Sequence, residues 1–75
     1  MTAENFENSL NELQDQKPFQ VFTVQLHGGE RIEVDHAKAL VVRKGVAVFL
    51  PAGGGFKLFD HKSVLQLEIA HQTPL

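Results

Sequence analysis

The chain has 75 residues, a mass of 8.3 kDa and a net charge of −2, with 43% hydrophobic, 21% charged and 8% aromatic residues. That composition suits one small globular domain and excludes a disordered chain. Cysteine is absent, which excludes disulfides, thiolate zinc sites, iron–sulfur clusters and cysteine nucleophiles together. No apolar run approaches the ~20 residues of a membrane span. The opening Met1-Thr2-Ala3-Glu4-Asn5-Phe6-Glu7 carries neither a basic region nor an apolar stretch, so no secretory signal is visible. The expectation is a cytoplasmic protein with no membrane partner.

The charge is unevenly spread. Residues 1–15 hold Glu4, Glu7, Glu12 and Asp15 and no base. From Lys38 to Lys62, Asp60 stands alone against Lys38, Arg43, Lys44, Lys57 and Lys62. An acidic leading segment on a mildly basic body suits either chance solvation of two faces or a weak polyanion-binding face that the acidic segment balances.

Ala3, Phe6, Leu10 and Leu13 are spaced three, four and three apart, which puts them on one face of a helix over about residues 3–15. Thr2 is placed to cap its start, and Pro18 disfavours helical geometry at Lys17. So short a helix is marginal alone, so its stripe is expected to pack on the body.

From Phe19 the period changes to two. Phe22, Val24 and Leu26 share one parity, and Ile32 and Val34 share another inward face after Gly28-Gly29, which reads as a two-residue hairpin turn. Ala37-Lys38-Ala39-Leu40 fits either a short helical turn or the start of a strand. Val41-Val42, the turn Arg43-Lys44-Gly45 and Val46 to Leu50 read as a second hairpin. Val46 to Leu50 is apolar throughout, so one side should meet the core and the other the N-terminal helix or another copy of the chain. Pro51 to Gly55 is a glycine-rich loop, but a strand pattern follows, Phe56 to Phe59, where a phosphate loop requires a helix. A last strand runs from Val64 to about His71, with Leu65, Leu67 and Ile69 inward, and 72–75 is a tail.

These elements make a single domain over 1–75: an α+β fold with one N-terminal amphipathic helix, then a β body over about 19–71. About five short antiparallel strands form a twisted meander that curls into a small, partly open barrel. Self-association would add to its limited core.

Of the chemistry-bearing residues, four histidines stand out: His27, His36, His61 and His71. Val34-Asp35-His36 and Phe59-Asp60-His61 echo one another, each an apolar residue followed by Asp-His and, four residues on, by Leu40 or Leu65. The favoured reading is turn chemistry, with Asp35 and Asp60 bonding nearby backbone N–H groups. The alternative brings His36 and His61 together as metal ligands or an acid–base pair, with Asp35 and Asp60 as ligands or orienters. No catalytic triad, cofactor fingerprint or paired catalytic carboxylates can be assembled, and the expected protein is not an enzyme and takes no cofactor.

Two resemblances carry further expectations. Lys17-Pro-Phe-Gln-Val-Phe-Thr-Val-Gln-Leu-His-Gly-Gly-Glu-Arg-Ile-Glu-Val-Asp-His36 resembles a pattern in a group of short bacterial proteins without assigned activity, Lys/Arg-Pro-Phe-x-Pro-Phe-x-Val/Ile-x-Leu-x-Asp-Gly-Arg followed by Val-x-His-Pro-Glu. It departs at Val21, Gly28 and Ala37-Lys38, and Leu67–Leu75 matches that group's tail loosely. The helix, the short strands and Phe59-Asp-His-Lys-Ser-Val-Leu-Gln-Leu67 resemble the Sm-like fold, whose bacterial RNA chaperone carries a Lys-His turn before its last strand; here the order is His61-Lys62 and the residues around them differ. That resemblance implies RNA contacts at His61, Lys62, Lys57, Arg43 and Phe59 in a ring-shaped oligomer. The function expected from the residues is a non-enzymatic interaction module that self-associates or binds a protein partner. An Sm-like RNA binder and a His/Asp metal or small-ligand site are the alternatives.

Overall fold

The computed structural model describes residues 1–69. Helix α1 covers Ala3–Gln14, and Thr2 Oγ1 caps it by accepting Asn5 N–H at 3.1 Å. The helix ends at Asp15, ahead of Pro18, as the sequence predicts. Six strands follow: β1 Phe22–Leu26, β2 Arg31–Val34, β3 Leu40–Arg43, β4 Val46–Phe49, β5 Lys57–Asp60 and β6 Val64–Ile69. All pairings are antiparallel, in two three-stranded sheets of order β2-β1-β6 and β3-β4-β5. The α+β class of one helix and an antiparallel β body therefore stands. There are six strands where about five are predicted, and the last returns to β1 instead of continuing a meander. The sheets do not close into a barrel.

The alternation of β1 and β2 sets the first hairpin: Phe22, Val24, Leu26, Ile32 and Val34 are all buried. Its loop is one residue longer than predicted. Leu26 N–H donates to Glu30 C=O at 2.8 Å, which leaves His27, Gly28 and Gly29 between the strands. The second hairpin is tighter. Arg43 faces Val46 across Lys44 and Gly45, whose φ angles of 51° and 82° are both left-handed, as a primed two-residue turn requires. Ala37-Lys38 is a turn, not a strand start, and Lys38 takes φ 68°.

Strand β6 differs from its predicted parity. Opposite β1, Leu67 faces Val24 and Gln66 faces Gln25, but Val64, not Leu65, faces Leu26. The extra residue is a β-bulge. It turns Leu65 out to 53% exposure and puts Val64 in the core place that alternation assigns to Leu65. Residues 70–75, with His71 and the tail, lie outside the described residues.

One core joins all the layers. Phe6 and Leu10 of α1 are buried with Phe22, Val24 and Val34 of the first sheet and Ala47 and Phe59 of the second. Phe6 meets Phe59 edge to face, with ring centres 5.8 Å apart. The helix does more than supply apolar contacts. Glu7 and Gln14 are two turns apart on one face. Gln14 Oε1 accepts Leu40 N–H at 2.9 Å and Glu7 Oε1 accepts Lys44 N–H at 3.1 Å. Together they cover both ends of the free edge of β3.

Candidate interaction surface

The histidines implied by the metal reading stand apart. Val34 faces Phe22 and Val64 faces Leu26, so His36 and His61 lie beyond opposite ends of β1, a strand about 13 Å long by its rise per residue. His36 Nδ1–H donates to the carboxylate of its neighbour Asp35 at 2.9 Å, and this bond holds the Asp35 carboxyl below the ordinary carboxylate range. His61 Nδ1–H donates to Met1 C=O at 2.9 Å, and its backbone N–H donates to Gly45 C=O at 2.8 Å. The His61 ring also lies edge-on to Phe6. Among the described residues, no three His, Cys, Asp or Glu side chains gather as a metal would require.

Asp60 performs turn chemistry. Ser63 N–H and Ser63 Oγ–H donate to the same carboxylate oxygen, at 3.0 and 2.7 Å, and Ser63 N–H also points to Asp60 C=O. The hydroxyl bond is the main reason the Asp60 carboxyl sits below its ordinary range. The echoed Asp35 makes no such turn bond among the described residues, and its partner is its own histidine.

The residues implied for RNA divide into three places. Lys62 is exposed on the β5–β6 turn beside half-buried His61, and the Arg43-Lys44-Gly45 turn lies at the same end of the second sheet. Lys57 sits at the other end of β5 and is ion-paired with Glu30. Phe59 is a correction: its ring is in the core against Phe6, which leaves no face for a base to stack on.

The two outer sheet faces contrast. The face of the first sheet is polar, with Arg31 bonded to Glu68 at 3.2 Å and Gln66 bonded to Gln25 at 2.9 Å. The Gln66 amide, with Arg31 after it, holds the Glu68 carboxyl below its usual range. On the second sheet, register places Val41, Val48 and Leu58 in one row across all three strands, with Val46 beside them. Leu58 is 60% exposed and Val41 is 51% exposed. The helix does not cover this face, contrary to one of the two expectations for Val46 to Leu50, because it lies along the β3 edge and its apolar stripe enters the core.

The strand edges differ as well. The β3 edge is covered by α1, and exposed Arg31 and Glu33 flank the β2 edge, a pattern that discourages pairing. Strands β5 and β6 are not covered by the helix, and their charged Lys57 and Glu68 are ion-paired within the chain. Because Leu50 N–H donates to Ala39, residues 46, 48 and 50 turn their backbone groups towards β3 and residues 47 and 49 turn theirs towards β5. Leu58 and Asp60 therefore turn theirs outward. By the same alternation from the Leu26–Glu30 and His27–Ser63 bonds, Gln66 and Glu68 serve β1 and Leu67 and Ile69 face outward. Exposed Phe56, Leu58, Leu65 and Ile69 flank these two open edges.

Comparison with protein-family models, with curated proteins and with solved structures finds no match. The surface is thus read from its own chemistry. No helix among the described residues is long and apolar enough to cross a membrane. Sequence reasoning missed Glu7 and Gln14 as edge caps and missed the Val41–Val48–Leu58 row. Their heptad spacing is the only signal for the caps, and the row has none without the register.

Proposed function

We propose that the chain is a non-enzymatic interaction module that assembles with copies of itself, β5 of one copy pairing with β6 of the next. The observation that carries this reading is the pair of open edges flanked by Phe56, Leu58, Leu65 and Ile69. An unprotected edge is a template for another strand, and apolar flanks add burial to the new ladder. The two edges are different surfaces, so the contact is head-to-tail and repeats into a ring or a filament. A domain with so small a core gains from the added burial.

The test is mass in solution by light scattering over a range of concentration. The expected result is a mass several times that of one chain. Leu58→Pro removes an outward N–H without removing a bond to β4, so it is expected to lower the mass to that of one chain with an unchanged circular dichroism spectrum. Leu58→Lys, on the solvent face, is the second variant and is expected to act in the same direction. A single-chain mass for the unaltered protein at every concentration overturns the reading.

A second reading, RNA binding of the Sm-like kind, is favoured by one observation. His61 and exposed Lys62 sit on the turn before the last strand, where the resemblance implies them, and the Arg43-Lys44 turn is at the same end. In a head-to-tail assembly these turns would repeat around the oligomer. Lys62→Ala is expected to weaken binding of a single-stranded RNA and to reduce its salt dependence by about one ion. RNA affinity unchanged by Lys62→Ala ends this reading and leaves the first intact.

A further inference from the structure

A groove of about 650 Å³ lies on the far side of the second sheet from β5. One wall is the end of α1 and the residues after it, the other the Ala37-Lys38 turn and β3. That volume lies in the range of small-ligand sites, about 300–1,000 Å³. Three features distinguish it from an ordinary groove.

Its charge is one-sided. Lys17, Lys38 and Arg43 line it against the single carboxylate of Asp15, and none of the three cations is ion-paired among the described residues. Its apolar lining comes from exposed Val41 and half-buried Val42, on either side of the β3 edge. Its rim contains the left-handed Lys38 at φ 68°. Lys44, the other left-handed lysine, is accounted for by the primed hairpin turn; Lys38 lies outside any two-residue hairpin. A non-glycine residue held there is strained, and such strain gathers at binding sites. A further donor is at hand: Gln14 Oε1 is engaged by Leu40 N–H, so the group that Gln14 leaves for a ligand is its amide NH₂.

We infer that this groove binds a small organic anion, a carboxylate joined to a short aliphatic chain. The cations and the Gln14 amide take the carboxylate, and Val41 and Val42 at the β3 edge give the chain its apolar contact. Asp15, the one carboxylate of the lining, opposes the anion and is outweighed there by the three cations. The site goes beyond self-association, because it uses the β3 side of the second sheet and leaves the β5 and β6 edges untouched.

The test is titration of the ¹⁵N-labelled full chain with octanoate, octylammonium and acetate, read at the amide resonances of Lys38, Leu40, Val41 and Val42. Octanoate is expected to shift them saturably, with a dissociation constant on the order of 1 mM. Octylammonium is expected to leave them unmoved, and acetate, which lacks the chain, to bind about tenfold more weakly or less. The double variant Lys38→Gly/Arg43→Gln is expected to bind octanoate about tenfold more weakly. Glycine relieves the left-handed position, so Lys38→Gly retains the fold. The inference is overturned if octanoate causes no saturable shift at these amides, if octylammonium shifts them equally, or if the double variant binds octanoate unchanged.

Discussion

Gly45→Ala is expected to destabilise the domain by about 3 kcal/mol, the sum of left-handed strain and overpacking. At φ 82° a β-carbon is strained whatever the space around it, and here there is none. It would lie 2.6 Å from His61 Cδ2 and 3.0 Å from Ala3 Cβ. The imidazole cannot easily yield, because Nδ1–H is bonded to Met1 C=O and the ring lies against Phe6. A chain of this length has a net stability of roughly 4–11 kcal/mol, so the loss is a large share of the whole. Urea unfolding measures it. Gly53→Ala is the control, because nothing lies within 4 Å of its added carbon. In a His61→Ala background the cost of Gly45→Ala should fall towards the strain, about 1–2 kcal/mol, with the Ala3 Cβ contact remaining. A Gly45→Ala variant as stable as the unaltered chain would mean that the turn does not hold His61 as described.

Phe6→Ala is expected to cost about 3–5 kcal/mol, the range for deleting a fully buried aromatic ring. Phe6 is 0% exposed and joins the helix to the second sheet through Phe59. The void would open where the helix meets the second sheet, leaving Leu10 as the one other fully buried side chain of the helix. Phe56→Ala removes the same ring from a site 69% exposed and is expected to change the stability of the single chain by no more than about 0.5 kcal/mol. Its effect should be on assembly mass instead. Equal losses in the two variants would contradict the division of the phenylalanines into core and exposed surface.

The contrast between local and distant information explains what the sequence reveals. The helix stripe Ala3, Phe6, Leu10 and Leu13 and the inward residues of β1 and β2 are legible because each depends only on the period of one segment. The turn at Gly45 is legible because glycine tolerates the left-handed conformation, but Arg43 belongs to β3 and Lys44 is left-handed too, which the residue types do not signal. Leu65 misleads, since a bulge is settled by the pairing of two strands and period alone assigns the residue inward. The return of β6 to β1 and the row Val41–Val48–Leu58 are likewise properties of pairs and triples of strands. Phe59 shows the same limit for the candidate site: its neighbours in sequence resemble an RNA-contacting turn, but its neighbour in space is Phe6. The caps Glu7 and Gln14 fall on the helix side that amphipathic reading assigns to solvent.

The pairing of β1 with β6 has a consequence for the order in which the fold is acquired. Each hairpin can close early, because its strands are joined by only a few residues. The first sheet cannot be completed that way. Gln25 and Gln66 bond across it from positions 41 residues apart, and everything from β2 to β5 lies between them. Closing so long a segment is entropically costly and is repaid only when the distant contacts form together. The barrier-crossing step is thus expected to be the capture of the last strand, with both hairpins already present, and fragments that lack β6 are expected to remain loosely ordered.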